Sequence, residues 1–146
     1  MKLSLFDFDD TLFETPYKEN WAYMDNPLSL SLGKWDFKAK NYVIKDYKKE
    51  YLNKNTKVIL LTNRISDVEY ELKNVLNSHS VFFDEYMPIQ GKDGDRSKGN
   101  RVLKLLEKYP NTDEIEYWED KDKHIIDVIN VLKDFPDIKL KINKIT

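Results

Sequence analysis

The sequence contains no cysteine, only four glycines among its 146 residues, and no apolar run that approaches the roughly 20 residues needed to span a bilayer. The lack of cysteine excludes a disulfide framework, a thiolate nucleophile and cysteine-ligated zinc. Any catalysis must therefore depend on carboxylates, hydroxyls, lysine, histidine or a hard metal ion. Because the chain also starts without the apolar core of a signal peptide, we expect a soluble, cytoplasmic protein that does not associate with membranes.

Neither sign of charge is in large excess. The chain has 24 lysines and arginines against 26 aspartates and glutamates, which gives a net charge of -2. This balance provides no general electrostatic attraction to nucleic acid, although it is compatible with a local basic patch. With 40% hydrophobic and 13% aromatic residues, the chain has the material for one core. Length and composition together predict a single domain over residues 1–146.

Short apolar runs alternate with segments whose apolar residues recur about every 3.6 positions, the period of a helix. The apolar runs predict strands at residues 2–8, 58–61, 81–83, 115–118 and 138–142. The periodic segments predict helices over residues 43–51, 68–76, 102–109 and 125–132, and Ser66 and Glu69 have the spacing of a capping box. This alternation predicts an α/β fold with a parallel sheet, whose functional site lies at the carboxyl ends of the strands. Residues 12–40 break the alternation and are interpreted as an irregular insertion that could form a small lid.

The densest group of acids follows the first predicted strand, in the run Asp7-Phe8-Asp9-Asp10-Thr11-Leu12. Asp7 and Asp9 are two positions apart, so on an extended backbone their side chains lie on the same side. Carboxylates this close repel each other unless a cation or a shared proton compensates them. The alternative is a solvated acidic turn, but an apolar strand that ends in so many acids favours a functional site.

Reactive side chains also follow or precede other predicted elements. Thr62 follows the strand at 58–61 and could present its hydroxyl to a phosphate oxygen, whereas Lys98 opens a helix. Glu119 and Asp120 follow another strand directly. Taken singly, these residues have ordinary explanations as a turn residue, a solvated lysine and part of a charged loop. Because parallel strands end at one edge of a sheet, they are together expected to form one site.

The run Asp7-x-Asp9-x-Thr11, followed by leucine, resembles the first motif of the haloacid dehalogenase-like (HAD) phosphohydrolase superfamily. Thr62 matches the second motif of that superfamily and Lys98 matches the third. The order of the motifs and their strand contexts agree over nearly the whole chain, residues 3–133.

Two positions leave alternatives open. Lys92 competes with Lys98 for the third motif. In the fourth motif, which Asp120 matches, Glu119 stands where the superfamily more often has glycine or aspartate. Whether Glu119 joins Asp120 as a metal ligand is therefore an open question at this point.

A closer resemblance involves residues around these motifs. The run Phe6-Asp7-Phe8-Asp9-Asp10-Thr11-Leu12-Phe13-x-Thr15-Pro16 with Trp21, the run Leu-Leu-Thr-Asn-Arg, and Glu119-Asp120 with His124 are similar to the "Swiss Army Knife" RNA-repair branch. That branch, like the phosphatase half of polynucleotide kinase-phosphatases, is associated with processing of nucleic-acid ends. The resemblance implies a Rossmann-like three-layer sandwich with a minimal cap or none.

The resemblance also implies Mg²⁺-dependent hydrolysis of a phosphomonoester through an aspartyl-phosphate. Asp7 would be the nucleophile, Asp9 the general acid and base, and Thr62 and Lys98 would hold the phosphoryl oxygens. Asp7, Asp9 through its carbonyl, and Asp120 would bind Mg²⁺. The residues implied to contact the substrate are Asp10, Thr11, Asn63 and Arg64.

The intervals between the motifs are too short for a separate cap domain, so the site should be open. An open site suits 3′-phosphate ends of nucleic acid, to which a basic rim and stacking by Trp21 and Trp35 could contribute. The rim would consist of Arg64, Lys92, Arg96, Lys98, Arg101 and Lys104, unless these are ordinary solvated charges. The alternatives are a 5′(3′)-nucleotidase or other small-molecule phosphatase, with residues 12–40 as the lid, and a non-catalytic module that binds Mg²⁺ and phosphate.

Overall fold

The computed structural model describes residues 1–15 and 37–146. The tryptophans proposed to stack on bases, Trp21 and Trp35, and most of the proposed lid lie outside the described residues. The elements in the described ranges are β1 (Lys2–Phe6), β2 (Phe13–Glu14), β3 (Lys38–Ala39), α1 (Asn41–Tyr51), β4 (Thr56–Ile65), α2 (Glu69–Ser78), β5 (Glu85–Ile89), α3 (Lys98–Lys108), β6 (Glu114–Glu119), α4 (Asp122–Leu132) and β7 (Lys139–Lys144). A turn of 3-10 helix, Ser66–Val68, joins β4 to α2.

Five of the strands form one sheet in the order β5-β4-β1-β6-β7. Every neighbouring pair is parallel, and Phe6 at the end of β1 is level with Leu60 of β4 and Trp118 of β6. The expected α/β fold with a parallel sheet is therefore confirmed. Because β1 lies between β4 and β6, the residues that follow these three strands meet at one edge of the sheet.

The two faces of the sheet are covered by different helices. Val58 and Leu60 of β4 face a cluster formed with α1 and α2, whereas Ile59 and Leu61 face a cluster formed with α3 and α4. Successive side chains of a strand point to opposite faces, which explains why this central strand has a continuous apolar run. The result is the expected sandwich of three layers.

The predicted strand at 81–83 is wrong. Val81 and Phe83 are buried, but the main chain between them pairs with a side chain, because the hydroxyl of Tyr47 accepts a hydrogen bond from the Phe82 N–H at 2.6 Å and donates one to its carbonyl. The strand of the sheet begins only at β5, which contains Pro88. Pro88 is tolerated there because β5 is an edge strand. The same proline argues against a strand when the sequence is considered alone, so β5 is not predicted from the sequence.

The ends of other elements also differ from the prediction. The first strand ends at Phe6 rather than at residue 8, and β4 continues beyond the apolar run to Ile65. The capping box is wrong, since α2 begins after a 3-10 turn and no side chain caps it. Instead, the Ser66 hydroxyl accepts a hydrogen bond from the Gly91 N–H at 2.9 Å, which ties the end of β4 to the loop after β5.

Between β4 and α3 the chain forms only a 3-10 turn, a helix, a strand and a loop, so no cap domain is inserted there. Within residues 1–15 and 37–146, no helix has the length and apolar character required to traverse a lipid bilayer.

Candidate active site

Side chains from four elements converge at the carboxyl edge of the sheet. Asp7 follows β1, Thr62, Asn63 and Arg64 belong to the last part of β4, Glu119 ends β6, and Lys98 is the first residue of α3. At this edge lies a recess of about 20 Å³, roughly the space of one water molecule. The recess is lined by Asp7, Asp9, Asn63, Lys98, Glu119, Lys121 and His124.

The centre of the site is a buried ammonium shared by two carboxylates. Nζ of Lys98 lies 2.8 Å from Oδ1 of Asp7 and 2.6 Å from Oε1 of Glu119, and the lysine is only 1% exposed. Lys92, the other lysine considered for this position, is exposed in the loop after β5. The structure therefore brings Lys98, and not Lys92, to Asp7.

The charges of these three groups depend on one another. Burial by itself would lower the pKa of Lys98, but Asp7 and Glu119 raise it, so the lysine is cationic. Burial would raise the pKa of Glu119, yet the Lys98 ammonium and the surrounding hydrogen bonds bring that pKa below its usual range. Burial and the neighbouring Glu119 instead raise the pKa of Asp7 well above its usual range. A second cation bound beside Asp7 would therefore favour the ionised form of its carboxyl group.

Glu119 is completely buried, and both of its oxygens already accept hydrogen bonds. Oε1 receives Lys98 and the hydroxyl of Tyr117, at 2.6 and 2.5 Å. Oε2 receives the N–H groups of Asp120 and Lys121, at 3.0 and 3.3 Å. The sequence pattern predicts Tyr117 only as part of a strand. Its spacing of two from Glu119, which puts both on one face of that strand, is the signal that indicates a shared role.

A second group of acids adjoins this centre. Carboxylate oxygens of Asp7, Glu119 and Asp120 lie within 4.8 Å of one another. The Thr11 hydroxyl lies 2.9 Å from Oδ2 of Asp7 and 3.3 Å from Oδ1 of Asp120, and burial together with Glu119 raises the pKa of Asp120. Three carboxylates lie together here, and only two of them, Asp7 and Glu119, contact the buried Lys98 ammonium. Carboxylate oxygens are the ligand type that Mg²⁺ prefers, so the residues fit such an ion.

Asp9 belongs to a separate buried ion pair. Its two carboxylate oxygens accept hydrogen bonds from Nε and Nη2 of Arg64, at 3.0 and 2.8 Å, and Oδ1 also accepts one from the Thr15 hydroxyl at 2.6 Å. Arg64 is only 2% exposed. The arginine expected to contact the substrate thus lies against Asp9, and the Asp9 carboxylate is not part of the acidic cluster that contains Asp7.

Thr62 and Asn63 are tied to the same helix as Lys98. The buried Thr62 hydroxyl accepts a hydrogen bond from the Arg64 N–H at 3.1 Å, and the Thr62 carbonyl accepts one from Nη1 of Arg101 at 2.5 Å. Nη2 of Arg101 donates to Oδ1 of Asn63. The sequence analysis predicts Arg101 only as a member of the basic rim, although its spacing of three from Lys98 puts both on one side of a helix.

The basic rim is therefore wrong for half of its members. Arg64, Lys98 and Arg101 are buried, because each has acceptors inside the site. The other three residues of the rim, Lys92, Arg96 and Lys104, are exposed.

Asp10 and His124 complete the surroundings. Asp10 has a left-handed backbone, with φ of 59°, and its N–H donates to the carbonyl of Phe13 at 2.7 Å, so this amide is used inside the loop. His124 is half-buried on α4 and lines the recess. Burial and the Lys98 ammonium lower the pKa of His124 to about 4, so its imidazole is neutral at pH 7.

No protein-family model matches the chain, and no curated protein matches its sequence. Solved structures similar to it include the Pnkp1/Rnl/Hen1 complex, with a TM-score of 0.67 at 14% identity; the Pnkp1/Rnl/Hen1 RNA repair complex, with 0.65 at 14%; and the HAD domain of the effector protein Lem4 from Legionella pneumophila, with 0.68 at 13%.

The alignments cover 99%, 98% and 98% of this chain, and 45%, 42% and 85% of the respective matched chains. The chain thus spans less than half the length of the first two. At such low identity the similarity concerns the fold, and it shows that the three-layer α/β sandwich of this chain is HAD-like.

Proposed function

We propose that this chain, which has a HAD-like fold, is a phosphomonoester hydrolase with Asp7 as its nucleophile. The observation that carries the proposal is the position of Asp7, which lies at the carboxyl edge of the sheet, 2.8 Å from a fully buried lysine and beside a cluster of acids. A buried cation next to a carboxylate compensates the repulsion between that carboxylate and an incoming phosphate. The sequence motifs around Asp7, Thr62, Lys98 and Asp120 support the same chemistry.

In the proposed reaction, an Asp7 oxygen attacks phosphorus and the bond from phosphorus to the ester oxygen breaks. Asp9 gives a proton to the leaving alkoxide, and the product on the enzyme is an aspartyl-phosphate. Asp9 then takes a proton from a water molecule that attacks the same phosphorus, which releases inorganic phosphate and restores Asp7.

Asp7 and Asp120 would hold Mg²⁺, together with the Asp9 carbonyl proposed from the sequence. When bound, this ion would supply positive charge to the phosphoryl oxygens and to Asp7. Glu119 has its oxygens occupied by four donors, and its proposed part is to hold Lys98 in place.

For the substrate, we propose 3′-phosphate ends of nucleic acid. The support is the resemblance of the sequence to the RNA-repair branch and the likeness of the fold to chains of an RNA repair complex. The absence of an inserted domain between β4 and α3 also leaves that side of the site accessible to a long substrate.

A specific observation favours a nucleotidase or other small-molecule phosphatase as the second candidate. A polar cavity of about 510 Å³ lies beside the acidic cluster and has the volume of a typical metabolite site. Its lining residues are Asp10, Glu14, Lys40, Asp120, Lys144, Ile145 and Thr146.

Two assays separate these possibilities. Hydrolysis of a generic aryl phosphate by the wild-type chain, and its loss in Asp7→Asn, would distinguish an enzyme from a module that only binds phosphate. The ratio of kcat/KM for a 3′-phosphorylated oligonucleotide to that for the matching nucleoside monophosphate then tests the substrate. A higher value for the oligonucleotide is expected, and a preference for the mononucleotide would replace end processing by the second candidate.

A further inference from the structure

Arg101 is a buried cation whose hydrogen-bond acceptors among the described residues are all neutral. It is 3% exposed, and its Nη1 donates to the carbonyls of Thr62 at 2.5 Å and Met87 at 2.8 Å. Its Nε donates to the carbonyl of Ser97 at 3.3 Å, and its Nη2 donates to the side chain of Asn63. Burial lowers the pKa of Arg101 to about 10, so the guanidinium stays charged at neutral pH.

These contacts lie where the pairing of two strands is interrupted. Leu61 of β4 is level with Met87 of β5, and the register then shifts before Ile65 pairs with Ile89. Arg101 reaches this interruption from α3 and supplies donors to a carbonyl on each strand. A buried carbonyl without a donor is costly, so the guanidinium stabilises the local path of β4 through Thr62 and Asn63.

The contact between Arg101 and Asn63 also decides which way the Asn63 amide faces. A guanidinium has donors only, so the atom of Asn63 that faces it must be the oxygen. The amide nitrogen is thereby turned to the other side, where its acceptor among the described residues is the Arg96 carbonyl, at a long 3.4 Å. An amide nitrogen carries two hydrogens, which leaves one of them available.

Asn63 lines the same recess as Asp7 and Lys98 and is only half-buried. A donor at this place is complementary to an anion that approaches Asp7, whereas an amide turned the other way would present an oxygen and repel it. The orientation of one amide thus changes the sign of the interaction with a phosphoryl group.

We propose that Arg101 is a positioning residue for phosphate recognition, which fixes Asn63 so that its amide nitrogen donates to a phosphoryl oxygen of the group attacked by Asp7. The proposal rests on the proposed function. An arginine suits this part because its fork reaches acceptors on two strands and one side chain at once. A lysine has the same charge but presents a single nitrogen, and cannot reproduce that geometry.

The test is a double-mutant cycle on the binding of inorganic phosphate in the presence of Mg²⁺, measured by calorimetry on the full chain. The variants are Arg101→Lys, Asn63→Ala and the double variant, with Glu107→Gln on the exposed side of α3 as the matched control. Loss of one hydrogen bond to a charged ligand is expected to weaken phosphate binding about tenfold in each single variant. The double variant should bind no more weakly than Asn63→Ala, because Arg101 acts through Asn63.

Additive losses in the double variant, or an Arg101→Lys protein that binds phosphate as well as Glu107→Gln does, would overturn the inference. Asn63→Asp provides a second test that keeps Arg101. This variant retains the contact with the guanidinium and replaces the donor by an acceptor, so it should lose phosphate binding without loss of thermal stability. Wild-type affinity in Asn63→Asp would overturn the inference as well.

The outcomes separate this inference from the proposed function. If the wild-type chain binds phosphate but Arg101→Lys does so equally well, only the part given to Arg101 is wrong. If the wild-type chain hydrolyses an aryl phosphate but does not bind inorganic phosphate, the inference falls and the phosphatase proposal stands. If it neither binds phosphate nor hydrolyses the ester, both fall. If it binds phosphate with the expected cycle but hydrolyses no ester, the part of Arg101 and Asn63 in phosphate binding stands, and the catalytic part given to Asp7 falls.

Discussion

The guanidinium of Arg64 holds the carboxylate of Asp9 by two hydrogen bonds, of 3.0 and 2.8 Å, at a place where both side chains are almost completely buried. Two-point contacts of this kind fix the direction of both groups. The general acid of the proposed reaction is thus held in one orientation before any substrate arrives.

This pair allows a prediction about stability. Arg64→Met should lower the free energy of unfolding by about 3–5 kcal/mol, because it leaves the charge of Asp9 buried without its partner. Asp9→Asn in the same chain should recover part of that loss, since neither charge then remains. Urea unfolding of the two single variants and the double variant measures this, and losses that simply add would show that the two residues are not coupled.

A second prediction concerns the nucleophile. Asp7→Asn should reduce hydrolysis of an aryl phosphate to the uncatalysed rate, because an amide cannot form the acyl-phosphate bond. The metal-free variant should unfold at the same temperature as the wild type or higher, since it removes one of two carboxylates that share the Lys98 ammonium. Substantial remaining turnover would exclude Asp7 as the nucleophile.

A third prediction concerns the metal. Chelation should abolish turnover, and addition of Mg²⁺ to the chelated protein should raise its unfolding free energy, by about 2.7 kcal/mol at a concentration of 100 times the Kd. Asp120→Asn should lose most of this stabilisation, because it removes one of the three clustered carboxylates. The exposed Asp134→Asn is the matched control. Activity that survives chelation, or equal Mg²⁺ stabilisation of both variants, would remove the ion or Asp120 from the site.

A fourth prediction concerns pH. His124 has its pKa lowered to about 4 by burial and by Lys98, against 6.5 for an unperturbed histidine. The unfolded chain therefore binds a proton more readily, so the contribution of His124 to stability is present above pH 6.5 and is lost as the pH falls towards 4.

Nuclear magnetic resonance titration of the metal-free protein checks this directly, with the exposed His79 as the reference signal in the same spectrum. Lys98→Met should move the midpoint of His124 upwards, because it removes a neighbouring positive charge. A midpoint near 6.5 in the wild-type protein would contradict the expected burial of His124.

The parts of the site that could be predicted from the sequence are those that depend on spacing within one segment. Asp7 and Lys98 follow or begin regular elements, and knowledge of a parallel sheet is enough to bring them together. Arg101 could not be placed in the same way, because its partners Thr62 and Met87 lie on two other strands. A charged side chain is expected at the surface. Arg101 is buried instead, because it donates hydrogen bonds to strand carbonyls beside the shift in register between β4 and β5.

The same distinction explains the errors in the fold. The apolar run at 58–61 is correctly predicted as a strand, because a continuous apolar run is typical of a strand that is buried on both faces. The run at 81–83 is equally apolar, but the hydroxyl of Tyr47, remote in sequence, hydrogen-bonds both main-chain groups of Phe82, the middle residue of the run. The local sequence pattern predicts which residues are buried, but it does not predict which groups form hydrogen bonds with their main-chain N–H and C=O.

The central position of β1 has a consequence for how the protein is made. Synthesis delivers β1 and β4 before β6, which pairs with the other side of β1 and supplies Glu119. Until then one edge of β1 is open, which makes it a template for wrong pairing with another chain. The nascent polypeptide also lacks Glu119 and Asp120, two of the three members of its acidic cluster, during this interval. Ribosome-bound chains from which β6 has not yet emerged should therefore bind chaperones more strongly than chains that include β6. The shorter chains should also fail to hydrolyse phosphate esters.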